Sequence, residues 1–205
     1  MSAGARPPLP AARGLDARLL HELGNATFAM TSSLELLACE LDGASTHPAL
    51  AGALAGARRV EALLHDFGEL TRPLTLRLTR ELLGDLLDEA RGAIEVRVEA
   101  RELAWVRCDR ARLAGALQTL IHAAGGELGA CHAALSASAL DARLTLTGPG
   151  SGTPAARLFE PFARRGPAES GLSLALARRV IEAHGGAVTA RGDGGLSVDV
   201  ELPLA

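Results

Sequence analysis

Tyrosine is absent from this 205-residue chain, tryptophan occurs once and phenylalanine four times. The apolar 48% is therefore mostly alanine and leucine, enough for a core and a composition that favours helices. Cysteine is scarce: Cys39, Cys108 and Cys131 are isolated and odd in number. That excludes a disulfide framework, and no Cys/His cluster has the spacing of a zinc site. The three are expected as buried, reduced thiols of a cytoplasmic protein. Excess positive charge is also missing. At a formal net charge of −3 the chain has no global basic field to attract nucleic acid or an anionic membrane, and neither is expected as a partner. No apolar run approaches the roughly 20 residues that span a bilayer. Residues 1–14, MSAGARPPLPAARG, carry arginine with no apolar stretch behind it, and read as a short disordered lead rather than a signal peptide.

What the chain does have is helical periodicity from about Leu15. Leu19, Leu23, Ala26, Met30, Leu34, Leu37 and Leu41 follow at spacings of 4, 3, 4, 4, 3 and 4, close to a heptad seam. GASTHP breaks the pattern, with Gly43 as the stop, Thr46 as the next N-cap and Pro48 in a first turn. A second helix from about His47 to Leu70 carries Leu50, Leu54, Ala57, Val60, Leu64 and Phe67. The short join makes the two helices antiparallel neighbours. Two helices cannot bury so wide a seam, so residues 15–72 are expected to dimerise into a four-helix bundle, with Arg72 and Pro73 ending the unit.

From Leu74 the period changes. LTLRL reads as a short strand and RELLGDLLDEAR as an amphipathic helix. IEVRVEA and AWVRCD read as strands, and Asp109 opens a helix to about Ala124. HAALSASA and ARLTLTG alternate as two strands turning at Asp141 and Ala142. After a Gly/Pro loop, a helix spans Leu172 to His184, and AVTARGD and LSVDVEL form an antiparallel pair joined at Gly194 and Gly195. The fold class is therefore α+β: an N-terminal antiparallel helical hairpin followed by an α/β sandwich over residues 74–205.

At about 100° per residue, His21 projects roughly opposite the seam, and Asn25 and Phe28 share its face. A neutral imidazole is a competent nucleophile near pH 7, and the adjacent Glu22 carboxylate is placed to orient it. Phe28 is an aromatic turned to water, which suits docking. The stretch RLLHELGNATFAMTSSLELL carrying these residues resembles the phosphoacceptor helix of two-component sensor histidine kinases. His21, Glu22, Leu23 and Asn25 match that motif, with Ala26 where those kinases usually have proline. With the run Ser33 to Leu37, it is still more similar to the ChpT-type histidine phosphotransferases of bacterial cell-cycle relays. The resemblance implies His21 as phosphoacceptor, with Glu22 and Asn25 as its catalytic neighbours. It implies Leu20, Gly24 and Phe28 as a surface for response-regulator receiver domains.

LFEPF at Leu158 to Phe162 and GLSLALARRVIEAHGG at Gly171 to Gly186 resemble the F-box and second glycine box of the same kinases' ATP-binding domain. The family's other nucleotide contacts are absent. Ala123 stands where an asparagine should hold Mg²⁺, with Thr119 and His122 nearby. Framing Gly148, Gly150 and Gly152 as the Asp-x-Gly-x-Gly box leaves Gly148 in place of the adenine-binding aspartate. Ser173 replaces a phosphate-approaching glycine, and the lid ARRGPAES is short, with eight residues. His122, His132 and His184 lack acidic partners at metal spacing, and His65 with Asp66 reads as solvated helix surface. The chain is thus expected to bind no nucleotide or metal itself, with Mg²⁺ residing on the receiver. The leading expectation is a histidine phosphotransferase passing phosphoryl groups between receiver aspartates through His21. The alternatives are an ATP-using kinase core and a non-catalytic scaffold.

Overall fold

The computed structural model of the protein describes residues 15–40, 48–92, 94–126, 130–150, 153–163, 171–192 and 194–205. Several expectations lie outside the described residues: the lead over 1–14, Leu41, the stop at Gly43, the cap at Thr46, Ser151 and Gly152, and most of the lid. The chain divides into two compact units, Met1–Pro73 and Leu74–Ala205.

The first unit is a hairpin of α1 (Leu15–Glu40) and α2 (Pro48–Thr71). Its register is fixed by two cross-links. The Thr31 hydroxyl donates to Glu61 Oε1 at 2.8 Å, and Arg58 donates to Glu35 Oε1 at 3.0 Å. The side of α1 turned toward α2 is not the leucine seam. It is centred on Thr27 and Thr31, which are buried, as are Ala57 and Gly68 on α2. Threonine tolerates that burial because each hydroxyl also bonds a carbonyl one turn back, Leu23 O at 2.8 Å and Thr27 O at 3.0 Å.

Only part of the seam enters that contact: Ala57 is buried and Leu34, Leu54 and Leu64 are half-buried, whereas Leu23 at 53%, Met30 at 48% and Phe67 at 44% stay exposed, with Leu37 and Val60 similar. At 3.6 residues per turn, Leu23, Met30 and Leu37 lie about a quarter turn from the hairpin contact. Because the helices run antiparallel, the same rotation puts Val60 and Phe67 on the same side of the two-helix layer. His21, Asn25 and Phe28 on α1, and His65 and Glu69 on α2, lie on the other side. The layer thus has one apolar side and one polar side.

The second unit is a five-stranded sheet of order β2-β4-β5-β7-β6, from β2 (Glu95–Arg101), β4 (Ala130–Ala137), β5 (Asp141–Gly148), β6 (Ala187–Arg191) and β7 (Leu196–Pro203). β2 runs parallel to β4, and the other pairs are antiparallel. Alternation along β5 points Leu144 and Leu146 into the core and leaves Arg143 outside, where it pairs with Glu201. The core is closed by α3 (Leu83–Ala90), α4 (Arg110–Gly125) and α5 (Ser173–Ala183), through side chains such as Leu86, Leu117, Leu120 and Ile181. A separate ribbon pairs β1 (Thr79–Leu82) with β3 (Trp105–Cys108).

Two sequence expectations shift here. The strand expected at LTLRL lies at Thr79–Leu82 instead, because those residues find β3 as a partner, and the helix begins only at Leu83. The turn expected at Asp141 and Ala142 falls earlier. The Ser138 hydroxyl accepts from the N–H groups of Leu140 and Asp141 and closes the chain there. Asp109 opens α4 as expected: its Oδ1 accepts from Arg112 N–H at 3.2 Å. The backbone N–H of Arg77, followed by that of Arg112, holds the Asp109 carboxyl below the usual carboxylate range against its partial desolvation. The N–H of Asp109 donates to Nε2 of buried His184 at 2.9 Å, and Nδ1 of the same ring meets Val180 O at 2.7 Å. His184 is therefore a tie between α4 and α5. Cys108 and Cys131 are buried, and burial followed by the Glu81 and Asp109 charges pushes the Cys108 thiol up to about 11. Cys39, expected buried, is exposed on α1.

Candidate functional site

The polar side of the hairpin holds an open groove of about 360 Å³ whose lining includes His21, Asn25, Phe28, His65, Glu69 and Arg72. Leu20 and Gly24 also line it, half-buried at its floor, and Phe28 stands 68% exposed at its rim. The structure therefore brings together five of the six site residues expected from sequence. The sixth, Glu22, lies outside the groove lining, one position round the helix from His21. Among the described residues the side-chain bond to the imidazole comes from Asn25, whose Nδ2 lies 3.4 Å from His21 Nε2. One helical turn separates the two, which is why the pair meets. An amide N–H facing Nε2 favours the tautomer with its lone pair there and the proton on Nδ1.

The groove's other wall was missed by sequence reading. His65, read as solvated surface, faces the same groove as His21, as do Glu61 and Arg72. The available signal was the antiparallel register, which places the last turns of α2 beside the first turns of α1.

The second unit contains a cleft of about 370 Å³ between α4, Leu158 and the start of α5. Its described lining offers amide, hydroxyl and imidazole groups from Gln118, Thr119, His122 and Ser173, and no carboxylate among the described residues. Thr119 Oγ1 donates to Gly115 O at 3.1 Å, and His122 Nδ1 meets Gln118 O at 2.8 Å, so both turn hydrogen-bonding capacity back to their own helix. Ala123 is fully buried and presents only a methyl group.

The glycine-box frame needs correction. A Cβ on Gly148 would overlap the Ala124 carbonyl. Gly150 has φ +68°, donates to Ala124 O at 2.9 Å, and a Cβ there would lie 2.7 Å from Leu196 Cβ. These two residues meet the steric demands of the box glycines. That moves the aspartate position from Gly148 to Leu146, which is fully buried in the core. Either frame leaves no carboxylate for an adenine amino group. His132 has acquired a partner from another strand, with Nδ1 2.6 Å from Glu99 Oε1 on the exposed sheet face. Among the described residues no group of three or more His, Cys, Asp or Glu could hold a metal ion, and no helix is long and apolar enough to cross a membrane.

Residues 71–205 match the family described as histidine kinase-, DNA gyrase B-, and HSP90-like ATPase. No curated protein matches the chain in sequence. Among solved structures, full-length ShkA in complex with AMPPNP is 22% identical, with a TM-score of 0.72 over 92% of this chain. The chain spans only 45% of ShkA's length. The histidine kinase AdeS of Acinetobacter baumannii is 20% identical, TM-score 0.63, over 90% of this chain and 98% of its own. Histidine kinase ThkA, solved with response regulator protein TrrA, is 18% identical, TM-score 0.62, over 93% of this chain and 61% of its own. These likenesses are of fold.

Proposed function

Since the chain belongs to the histidine kinase-, DNA gyrase B- and HSP90-like ATPase family, we propose that it is a histidine phosphotransferase that has kept the family's fold and given up its nucleotide. His21 carries the phosphoryl group between receiver-domain aspartates of a two-component relay. The observation that carries this reading is the contrast between the units. His21 stands accessible in a groove, whereas Ala123 and Leu146 supply no ligand atom where a nucleotide would need them. The likeness to ThkA, solved with a response regulator, supports receivers as the partners.

The chemistry asks little of this chain. The lone pair on His21 Nε2 attacks the phosphorus of a receiver aspartyl phosphate. The new P–N bond forms as the P–O bond breaks with its electron pair, releasing the carboxylate, and the ring keeps its proton on Nδ1. The protein contributes an imidazole held in line by docking, and Mg²⁺ with its acidic ligands belongs to the receiver. Asn25 sets the tautomer before attack. Phe28 supplies an apolar anchor beside the reacting ring. Phe28→Ala is expected to weaken receiver binding by about 1–2 kcal/mol, the usual scale for a lost aromatic anchor. Transfer at saturating receiver should be preserved. Titration of a labelled receiver with each protein checks this, and unchanged affinity contradicts it.

Family membership alone would suggest a kinase fed by ATP. Calorimetry with millimolar Mg-ATP is expected to give no binding heat with this chain. A dissociation constant in the low micromolar range would restore the kinase reading.

A further inference from the structure

We infer that Arg72 grips the phosphoryl group on His21, making it a second catalytic residue of the groove; this rests on the phosphotransferase reading. Thr31 meets Glu61 and Glu35 meets Arg58 across the hairpin. Stepping that antiparallel register back along α1 to His21 brings Thr71 and Arg72 level with it. Of these two, Arg72 lines the groove. Thr71 is absorbed by its own helix, its hydroxyl donating to Phe67 O at 3.0 Å.

Charge selects the same residue. A phosphoryl group on His21 brings close to two negative charges into a groove already lined by Glu61 and Glu69. Among the described lining residues, Arg72 alone has a permanent positive charge. Its planar guanidinium can take two phosphoryl oxygens at once, which an ammonium cannot. Its backbone is held where this requires: Arg72 N–H bonds Gly68 O at 3.1 Å, and Pro73 prevents the helix from continuing. An arginine at a helix C-terminus also complements the helix dipole. That role would not depend on the guanidinium's shape or on phosphate, so the two roles are separable by experiment.

The test uses phosphoramidate, a small donor that transfers its phosphoryl group to imidazole with ammonia leaving, so no partner need be identified. Full-length wild type, Arg72→Ala, Arg72→Lys and His21→Ala are incubated with it, and loading at each histidine is followed by mass spectrometry alongside helicity. Wild type is expected to load at His21. Arg72→Ala should load it about 10²-fold more slowly, on the scale of a lost transition-state donor, with helicity unchanged. Arg72→Lys should recover part of the rate, because charge returns without the fork. An Arg72→Ala protein loading at the wild-type rate overturns the inference. So does slow loading that tracks lost helicity. Either leaves the role of His21 standing. Failure of wild type to load at His21 would instead contradict the phosphotransferase reading itself.

Discussion

His21→Ala is expected to take up no phosphoryl group from a phosphorylated receiver while keeping the helicity and self-association of the wild type. The first half follows from chemistry. Among the described residues, His21 and His65 are the imidazoles lining the groove, and only His21 is paired with an amide one turn away that sets a ring tautomer. Removing the nucleophile leaves the receiver's aspartyl phosphate with water as its only acceptor. The second half follows from packing. His21 is exposed on the polar side of the hairpin, and its side-chain bond is to the exposed Asn25. Surface changes of that kind cost within about 0.5 kcal/mol. The check is labelled-receiver transfer with circular dichroism on the same samples. A variant that still accepts label, with the label mapped to His65, would move the phosphoacceptor across the groove to α2.

Met30→Glu with Phe67→Glu is expected to turn a dimer into a monomer. Leu23, Met30 and Leu37 on α1 and Val60 and Phe67 on α2 form an apolar side that the hairpin leaves uncovered. We propose a second copy as the occupant, because a two-fold interface pairs the same stripe with itself. Burying a Met or Phe side chain is worth about 1.5–3 kcal/mol, and symmetry counts each twice. Replacing them with carboxylates loses that gain and buries unpaired charges. Self-association should weaken by well over a hundredfold, about 2.7 kcal/mol or more. Light scattering at micromolar concentration should show a wild-type dimer and a variant monomer. A wild type that is itself monomeric would contradict the proposed bundle.

Elements with strong local signals were legible in the sequence. Both hairpin helices, the cap at Asp109 and the alternating strands β2, β4, β5 and β7 lie within a few residues of expectation. Periodicity and capping act over one or two turns, which is the range a sequence displays. What failed needed partners distant in the chain. The strand at Thr79–Leu82 forms because β3 is available, and LTLRL has no such neighbour among the described residues. The seam was legible as a stripe, yet its division of labour was not. Thr27 and Thr31 serve the hairpin contact because their hydroxyls find carbonyls on their own helix. The glycine-box frame was ambiguous because glycines recur at every second position from Gly148 to Gly152. Only the crowding around Gly148 and Gly150 chooses between frames. In the groove, α1's contribution was read from one helix. His65 and Arg72 came from the other helix through register, and Arg72 looked like punctuation before Pro73.

On the proposed function, phosphoryl groups enter through His21 from a receiver and not from ATP. The direct test runs two incubations of the full-length protein side by side, one with a labelled phosphorylated receiver domain and one with γ-labelled Mg-ATP. Label is predicted on His21 in the first and none in the second. Label on His21 from ATP alone, in the absence of any receiver, would contradict the account.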